Sequence, residues 1–150
     1  KNRRVHFLRC GTGPVLVLLH ASACSAKVMR DHMAYFGQKF TVIATDTPGF
    51  GLSDLLPIET VTTEDLADAL ADTLDALGIA QVAVYGRHTG AQIAVEFAAR
   101  HPQRCAMALS DGFPIYTVQE RERRLANYLP PIVPSFDGSH LLWLWFRYRE

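Results

Sequence analysis

Apolar residues in this chain fall into short unbroken runs, divided by glycine-rich or polar turns and by two longer stretches with helical spacing. Val15-Leu16-Val17-Leu18-Leu19 is apolar at every position, the pattern of a central strand covered on both faces. Phe40 to Ala44, Val82 to Tyr85 and Cys105 to Leu109 read as further short strands, and Val5 to Arg9 alternates loosely enough to be another. Between them, Lys27 to Phe36 is a plausible short helix. Leu66, Leu70, Leu74 and Leu77 form a stripe at helical spacing. Thr62 or Thr63 can cap that helix, Glu64 and Asp65 suit its positive end, and Gly78 can close it. Ile93, Ala94 and Phe97 share one face of a following helix. Strands alternating with helices predict an α/β fold: a mostly parallel sheet with helices on both faces.

The pattern changes after Gly112. Glu120 to Tyr128 reads as a charged helix, Leu129 to Pro134 as a stiff extended connector, and Ser139 to Phe146 as the start of a helix crowded with aromatics. There is no internal repeat or low-complexity tract.

A chain of 150 residues has the length of one domain. Its formal net charge is zero, which removes any electrostatic case for nucleic acid or an anionic membrane. The apolar runs are far too short to span a bilayer, so no membrane partner is expected. Cys10, Cys24 and Cys105 are odd in number and scattered, which fits neither a disulfide framework nor a zinc site and predicts a reducing, cytoplasmic setting. No metal cluster or dinucleotide fingerprint is present, so neither a metal nor a cofactor is expected. The partner expected from chemistry is a small-molecule substrate. The oligomeric state is not legible.

The chemistry concentrates at Val82-Ala83-Val84-Tyr85-Gly86-Arg87-His88-Thr89-Gly90-Ala91. A strand that becomes a helix within a few residues forces its turn residue into a crowded conformation with positive φ. Small residues two before and two after relieve the crowding, and Gly86 and Gly90 stand at those places around His88. A slip of one residue would make Thr89 central and put Arg87 in a position that needs a small residue. The glycines therefore favour His88, with Thr89 as a hydroxyl alternative.

This stretch resembles the nucleophile elbow, G-x-S-x-G, of the α/β-hydrolase superfamily, with histidine in place of serine. Two other segments match the same superfamily in the right order. His20-Ala21-Ser22 stands where its members carry His-Gly-x after the third strand, and Asp46-Thr47-Pro48-Gly49-Phe50-Gly51-Leu52-Ser53 looks like the D-x-P-G-x-G-x-S turn after the fourth. The resemblance covers about residues 3 to 112. It implies that 1–112 are the N-terminal part of a hydrolase core and that 113–150 begin a cap. Members carry two further strands and a catalytic histidine after the cap, so the resemblance also implies a remaining C-terminal polypeptide as a partner for this chain. Without it, the Cys105–Leu109 strand would be an exposed apolar edge.

The implied activity is hydrolysis of a small, largely apolar ester or related acyl compound. The alternatives are a lyase or cofactor-free oxygenase using His88 as base, and a catalytically silent ligand-binding relative. A histidine at the elbow can attack an acyl group through nitrogen or accept a proton; otherwise it only fills the place of a lost nucleophile. By resemblance, the backbone N–H groups of Ser22 and Thr89 form an oxyanion hole. Asp111, after the strand that follows the elbow, is the candidate for orienting a histidine, against a solvated turn residue. His20 is a candidate substrate-side residue whose plainer role is to bond nearby loops. Asp46 is expected to hold its turn by accepting backbone N–H bonds. Cys24 is a candidate thiol beside a commoner inert reading. Trp143, with Trp145 and Phe146, either lines an apolar pocket or simply packs a cap helix.

Overall fold

The structure is a computed structural model that describes residues 3–127 and 133–149. The chain divides into two compact units, Lys1–Pro114 and Ile115–Glu150.

The first unit is a five-stranded sheet in the order β1-β3-β2-β4-β5, formed by β1 (Phe7–Cys10), β2 (Val15–Leu19), β3 (Thr41–Thr45), β4 (Val82–Arg87) and β5 (Cys105–Asp111). β1 pairs with β3 antiparallel, and every other pairing is parallel. β2 lies at the centre, and from Leu16 to Leu19 its residues are buried whichever way they point. Val17 and Leu19 face one layer, where they meet Leu70 and Leu74 of α2 (Thr63–Ala76) and Ile93 and Phe97 of α3 (Thr89–Arg100). Leu16 and Leu18 face the other, where they meet Ala26 and Met29 of a 3₁₀ turn (Ala26–Met29) and Met33 of α1 (Arg30–Phe36). An unbroken apolar run is what a strand needs when water is excluded from both its faces.

The segment expected to form one helix from Lys27 to Phe36 is therefore divided. Its first turn is 3₁₀ and only Arg30–Phe36 is α-helical. α2 starts where the cap residues place it. The Thr62 hydroxyl accepts from the Asp65 N–H at 3.3 Å, and the Asp65 carboxylate accepts from the Thr62 N–H at 2.9 Å, a reciprocal capping box. α2 and α3 are further joined by Asp68, whose carboxylate takes Arg100 at 2.6 Å and His101 at 2.8 Å. The Arg100 bond is the larger cause of the Asp68 carboxyl lying below its ordinary range.

β5 forms one edge of the sheet. Met107 and Leu109 on it are 58% and 42% exposed, so an apolar surface stands uncovered beside β4. The second unit holds α4 (Val118–Asn127) and α5 (Ser139–Arg149). Thr117 and Glu120 cap α4 with the same reciprocal pair seen on α2. The extended connector expected over 129–134 lies outside the described residues except for Val133 and Pro134. Among the described residues, no helix is long and apolar enough to cross a membrane.

Candidate active site

β4 ends at Arg87, α3 begins at Thr89, and His88 alone makes the turn. Its backbone sits at φ 48°, ψ −109°. That is close to the first corner of a type II′ turn, a place that glycine usually takes. The parallel ladder sets one side of the corner, because the His88 N–H donates to the Asp111 carbonyl at 2.8 Å. The helix sets the other, because the His88 carbonyl accepts from Ala91 at 3.0 Å and Gln92 at 3.2 Å.

The two glycines explain how so sharp a bend closes. A Cβ on Gly86 would strike the Gly90 carbonyl and come within 2.6 Å of the Ala91 nitrogen. A Cβ on Gly90 would strike the Leu19 carbonyl and come within 2.8 Å of the His20 oxygen. Gly86 thus lets the helix fold back on its own strand, and Gly90 lets it press on the end of β2. The His88 ring is left exposed at the carboxyl edge of the sheet, beside the backbone of Gly112.

The loop after β2 is bonded to the start of α3 beside this turn. His20 at its base is 1% exposed and fully bonded: its Nδ1 lies 2.7 Å from the Ala21 carbonyl, and its Nε2 accepts from the Thr47 N–H at 3.1 Å. An acceptor at Nε2 and a donor at Nδ1 describe a neutral ring. His20 is a strut between two loops, and its atoms are already engaged. Beyond it, Ser22 Oγ meets Thr89 Oγ1 at 2.6 Å, and Ala23 takes φ 59°. Ala23 and His88 are the non-glycine residues with positive φ among the described residues, and each is next in sequence to a member of the Ser22–Thr89 bond. Such backbone strain persists only where the surroundings hold it, and it collects at functional sites.

Thr89 is the first residue of α3, so its N–H has no acceptor within the helix. Among the described residues, neither that N–H nor the Ser22 N–H is used by another protein group. Two free amide donors, one at the positive end of a helix, thus stand beside the His88 turn.

A family model described as alpha/beta hydrolase fold matches residues 14–134. The chain belongs to the α/β-hydrolase fold family. Among curated members, the 2-hydroxy-6-oxononadienedioate/2-hydroxy-6-oxononatrienedioate hydrolase of Burkholderia vietnamiensis is 39% identical over 107 residues, which are 67% of this chain and 37% of that protein. Among solved structures, the N-acyl homoserine lactonase AidH bound to N-butanoyl homoserine superposes with a TM-score of 0.69 at 29% identity, covering 75% of this chain and 42% of that one. A thermophilic esterase from Thermogutta terrifontis gives 0.72 at 27%, covering 89% and 51%. The chain therefore spans well under half the length of the curated hydrolase-fold relative and about half or less of these two structures.

In this hydrolase-fold chain, Asp111 is near His88 in the backbone but is not bonded to its ring. The carboxylate accepts from the Tyr85 hydroxyl at 2.8 Å. Arg87 Nε lies 3.0 Å from the same oxygen without its N–H aimed there, an ion pair rather than a directed hydrogen bond. The Tyr85 bond, with help from the Arg87 and His88 charges, holds the Asp111 carboxyl below its ordinary range. Burial, followed by the Asp111 bond, pushes the Tyr85 phenol up. Sequence reading did not anticipate Tyr85 as a partner. The available signal was alternation: positions 85 and 87 share one face of β4, and the register sets Arg87 beside Asp111.

Asp46, 2% exposed, does hold its turn. It accepts from the Ala26 N–H at 2.6 Å, the Leu52 N–H at 2.9 Å and His6 Nδ1 at 2.8 Å. Burial alone would raise its pKa, but the three bonds outweigh burial and lower it. Cys24 is a free, half-buried thiol in the Ser22 loop. Trp143 lies on α5 in the second unit and is 42% exposed. Among the described residues, no group of three His, Cys, Asp or Glu side chains is placed to hold a metal ion.

Proposed function

We propose that this chain is the N-terminal part of a hydrolase acting on a small, largely apolar ester or related acyl substrate, with His88 as the reacting side chain. The observation that carries the reading is His88 at φ 48° on the strand-to-helix corner, its ring exposed at the carboxyl edge of a parallel sheet. Open α/β sheets place their ligands at that edge. The names of the relatives, which include a 2-hydroxy-6-oxononadienedioate/2-hydroxy-6-oxononatrienedioate hydrolase, a lactonase and an esterase, support the same class.

In this reading, an unprotonated imidazole nitrogen attacks the acyl carbon. A C–N bond forms, and the carbonyl oxygen becomes an oxyanion that the Ser22 and Thr89 N–H groups receive. The C–O ester bond then breaks, the alcohol leaves with a proton, and water hydrolyses the acyl-imidazole. Asp111 contributes through space, as a negative charge near a ring that becomes positive. His20 supports the loop and makes no contact with substrate. Residues 113–150 begin a cap to which Trp143 belongs, and further polypeptide completes the core. Free Cys10, Cys24 and Cys105 suit a cytoplasmic setting.

One observation favours a second reading: among the described residues, no carboxylate is bonded to the His88 ring. That suits a silent relative that binds an acyl compound without turning it over. The test is hydrolysis of p-nitrophenyl acetate and butyrate by the natural full-length protein, beside His88→Ala and His88→Ser. The reading expects His88→Ala to lose about 100-fold or more in kcat, the usual scale for a proton-transfer or nucleophilic group. An alanine variant as active as the parent removes His88 from the chemistry. Activity gained only with serine identifies a silent relative whose amide donors are intact.

A further inference from the structure

The 2.6 Å contact between Ser22 Oγ and Thr89 Oγ1 joins residues 67 apart in sequence, tying the loop after β2 to the start of α3 beside His88. We propose that this hydroxyl pair is a positioning latch, which fixes the separation of the Ser22 and Thr89 amide donors and so sets the depth of the oxyanion pocket. The inference rests on the acyl-transfer reading above. It concerns side chains that the backbone argument leaves without a task.

The loop after β2 is pinned at both ends. At its base, the His20 ring is bonded to Ala21 and Thr47, and Gly90 presses on the Leu19 and His20 carbonyls. At its far end, the Ala26 N–H donates to buried Asp46. The tip between these anchors contains Ala23 at φ 59°, a conformation that relaxes unless it is held. Inside the tip, the Cys24 N–H turns back to the Ala21 carbonyl at 3.2 Å, a bond that ties the loop only to itself. Ser25 is held by the Val28 N–H of the 3₁₀ turn at 3.1 Å; among the described residues, the Ser22–Thr89 bond is the one hydrogen bond that ties residues 22–24 to another element. It is also short for a hydroxyl pair, whose usual separation is about 2.7–2.8 Å.

The latch grips the two residues whose N–H groups are the proposed donors. Thr89 is fixed by helix α3. Ser22 rides on the loop, and its distance from Thr89 is whatever the hydroxyl bond allows. A donor pair is effective only when both N–H groups lie about 2.7–3.1 Å from the developing oxyanion. A shift of about 1 Å can cost about 100-fold in rate. Ser22 and Thr89 are therefore positioning residues through their hydroxyls, separately from any donation by their amides.

The experiment measures p-nitrophenyl butyrate hydrolysis and amide deuterium uptake across residues 20–26 in the natural full-length protein. The variants are Ser22→Ala, Thr89→Val, the double variant and Thr89→Ser. Each single loss of a hydroxyl is expected to lower kcat by about tenfold with KM held within about twofold, as for an interaction made only in the transition state. The double variant is expected to be no worse than about twofold below either single, because both remove one bond. Thr89→Ser restores the hydroxyl and recovers the parent kcat within about twofold. Uptake across 20–26 rises in both single variants and returns in Thr89→Ser. Unchanged uptake in Thr89→Val overturns the latch, as do single effects that multiply in the double variant or losses that appear in KM alone. A parent protein that hydrolyses no ester overturns the acyl-transfer reading, and deuterium uptake then decides the latch by itself.

Discussion

The His88 amide is bonded to the Asp111 carbonyl, yet the Asp111 carboxylate is taken by Tyr85 and Arg87. Backbone proximity and side-chain partnership are thus separated in one residue pair. The register that puts Asp111 beside the elbow also aligns Tyr85 and Arg87 on the same face of the sheet, where they reach the carboxylate first.

This separation predicts the outcome of Asp111→Asn. An acid bonded to a catalytic histidine costs about 10⁴ in kcat when neutralised. Asp111 is about half exposed, so its effect on His88 is screened by solvent. Asp111→Asn should lower ester hydrolysis by less than about tenfold, with a smaller effect at high salt, where surface charges are screened within about a Debye length. Initial rates at two ionic strengths check it. A loss of several thousandfold would mean that the carboxylate swings onto the ring during turnover.

Gly112 offers a cleaner probe of the ring's position. It has φ +69°, and a Cβ there would lie 3.0 Å from His88 Cε1 and 3.1 Å from Nδ1. Alanine at this position is strained by its backbone and crowds the imidazole at once. Gly112→Ala should cost about 1 kcal/mol or more of stability for the positive φ. It should also lower activity far more than that loss of stability explains, because the ring must move. Urea unfolding and kcat, measured on the same sample, separate the two effects.

What the sequence showed and what it hid follow from the range of the interactions involved. Val15–Leu19 was legible as a central strand because burial on both faces leaves no polar position to confuse the period. The Thr62 start of α2 was legible because a cap acts over three residues. The corner at His88 was legible because Gly86 and Gly90 are close neighbours that both relieve one bend. The strand ends were less so: β4 and β5 run on to Arg87 and Asp111, since each residue continues to find a ladder partner across the sheet. The Ser22–Thr89, Tyr85–Asp111 and His6–Asp46 bonds span 67, 26 and 40 residues, and no local period encodes them. They appear only when the strand order is known.

The corner itself carries a testable cost. A side chain at φ 48°, ψ −109° is disfavoured, and glycine is not. Strain of this kind is worth about 1–3 kcal/mol, against which glycine gives back about 1 kcal/mol of backbone entropy on unfolding. His88→Gly should therefore raise stability by up to about 2 kcal/mol while abolishing the His88 chemistry. A rise in the thermal midpoint together with lost activity marks a residue retained for function. A fall in the midpoint would show that packing of the ring against Gly112 outweighs the strain.

Asp46, the buried carboxylate, is expected to make the first unit sensitive to acid. Its pKa is lowered in the folded protein by the bonds from Ala26, Leu52 and His6 acting against burial. A depressed carboxyl contributes stability that is fully present above the unfolded value, about 3.9, and is lost as pH falls through the lower folded value. Protonation would leave the short Ala26 and Leu52 donors facing a neutral acid. Asp46→Asn imposes that neutrality at every pH, and it should cost about 3 kcal/mol at pH 7, the scale of breaking a buried charged network. The same substitution should flatten the decline of the urea midpoint as pH falls below about 4 relative to the parent, because it removes a carboxyl whose folded pKa lies below its unfolded one. The exposed Asp68, also lowered through Arg100 and His101, contributes less because its partners are solvated. If the variant kept the parent's full decline with acid, the sensitivity would lie at Asp68 and the other surface carboxylates instead of beneath the turn at Asp46.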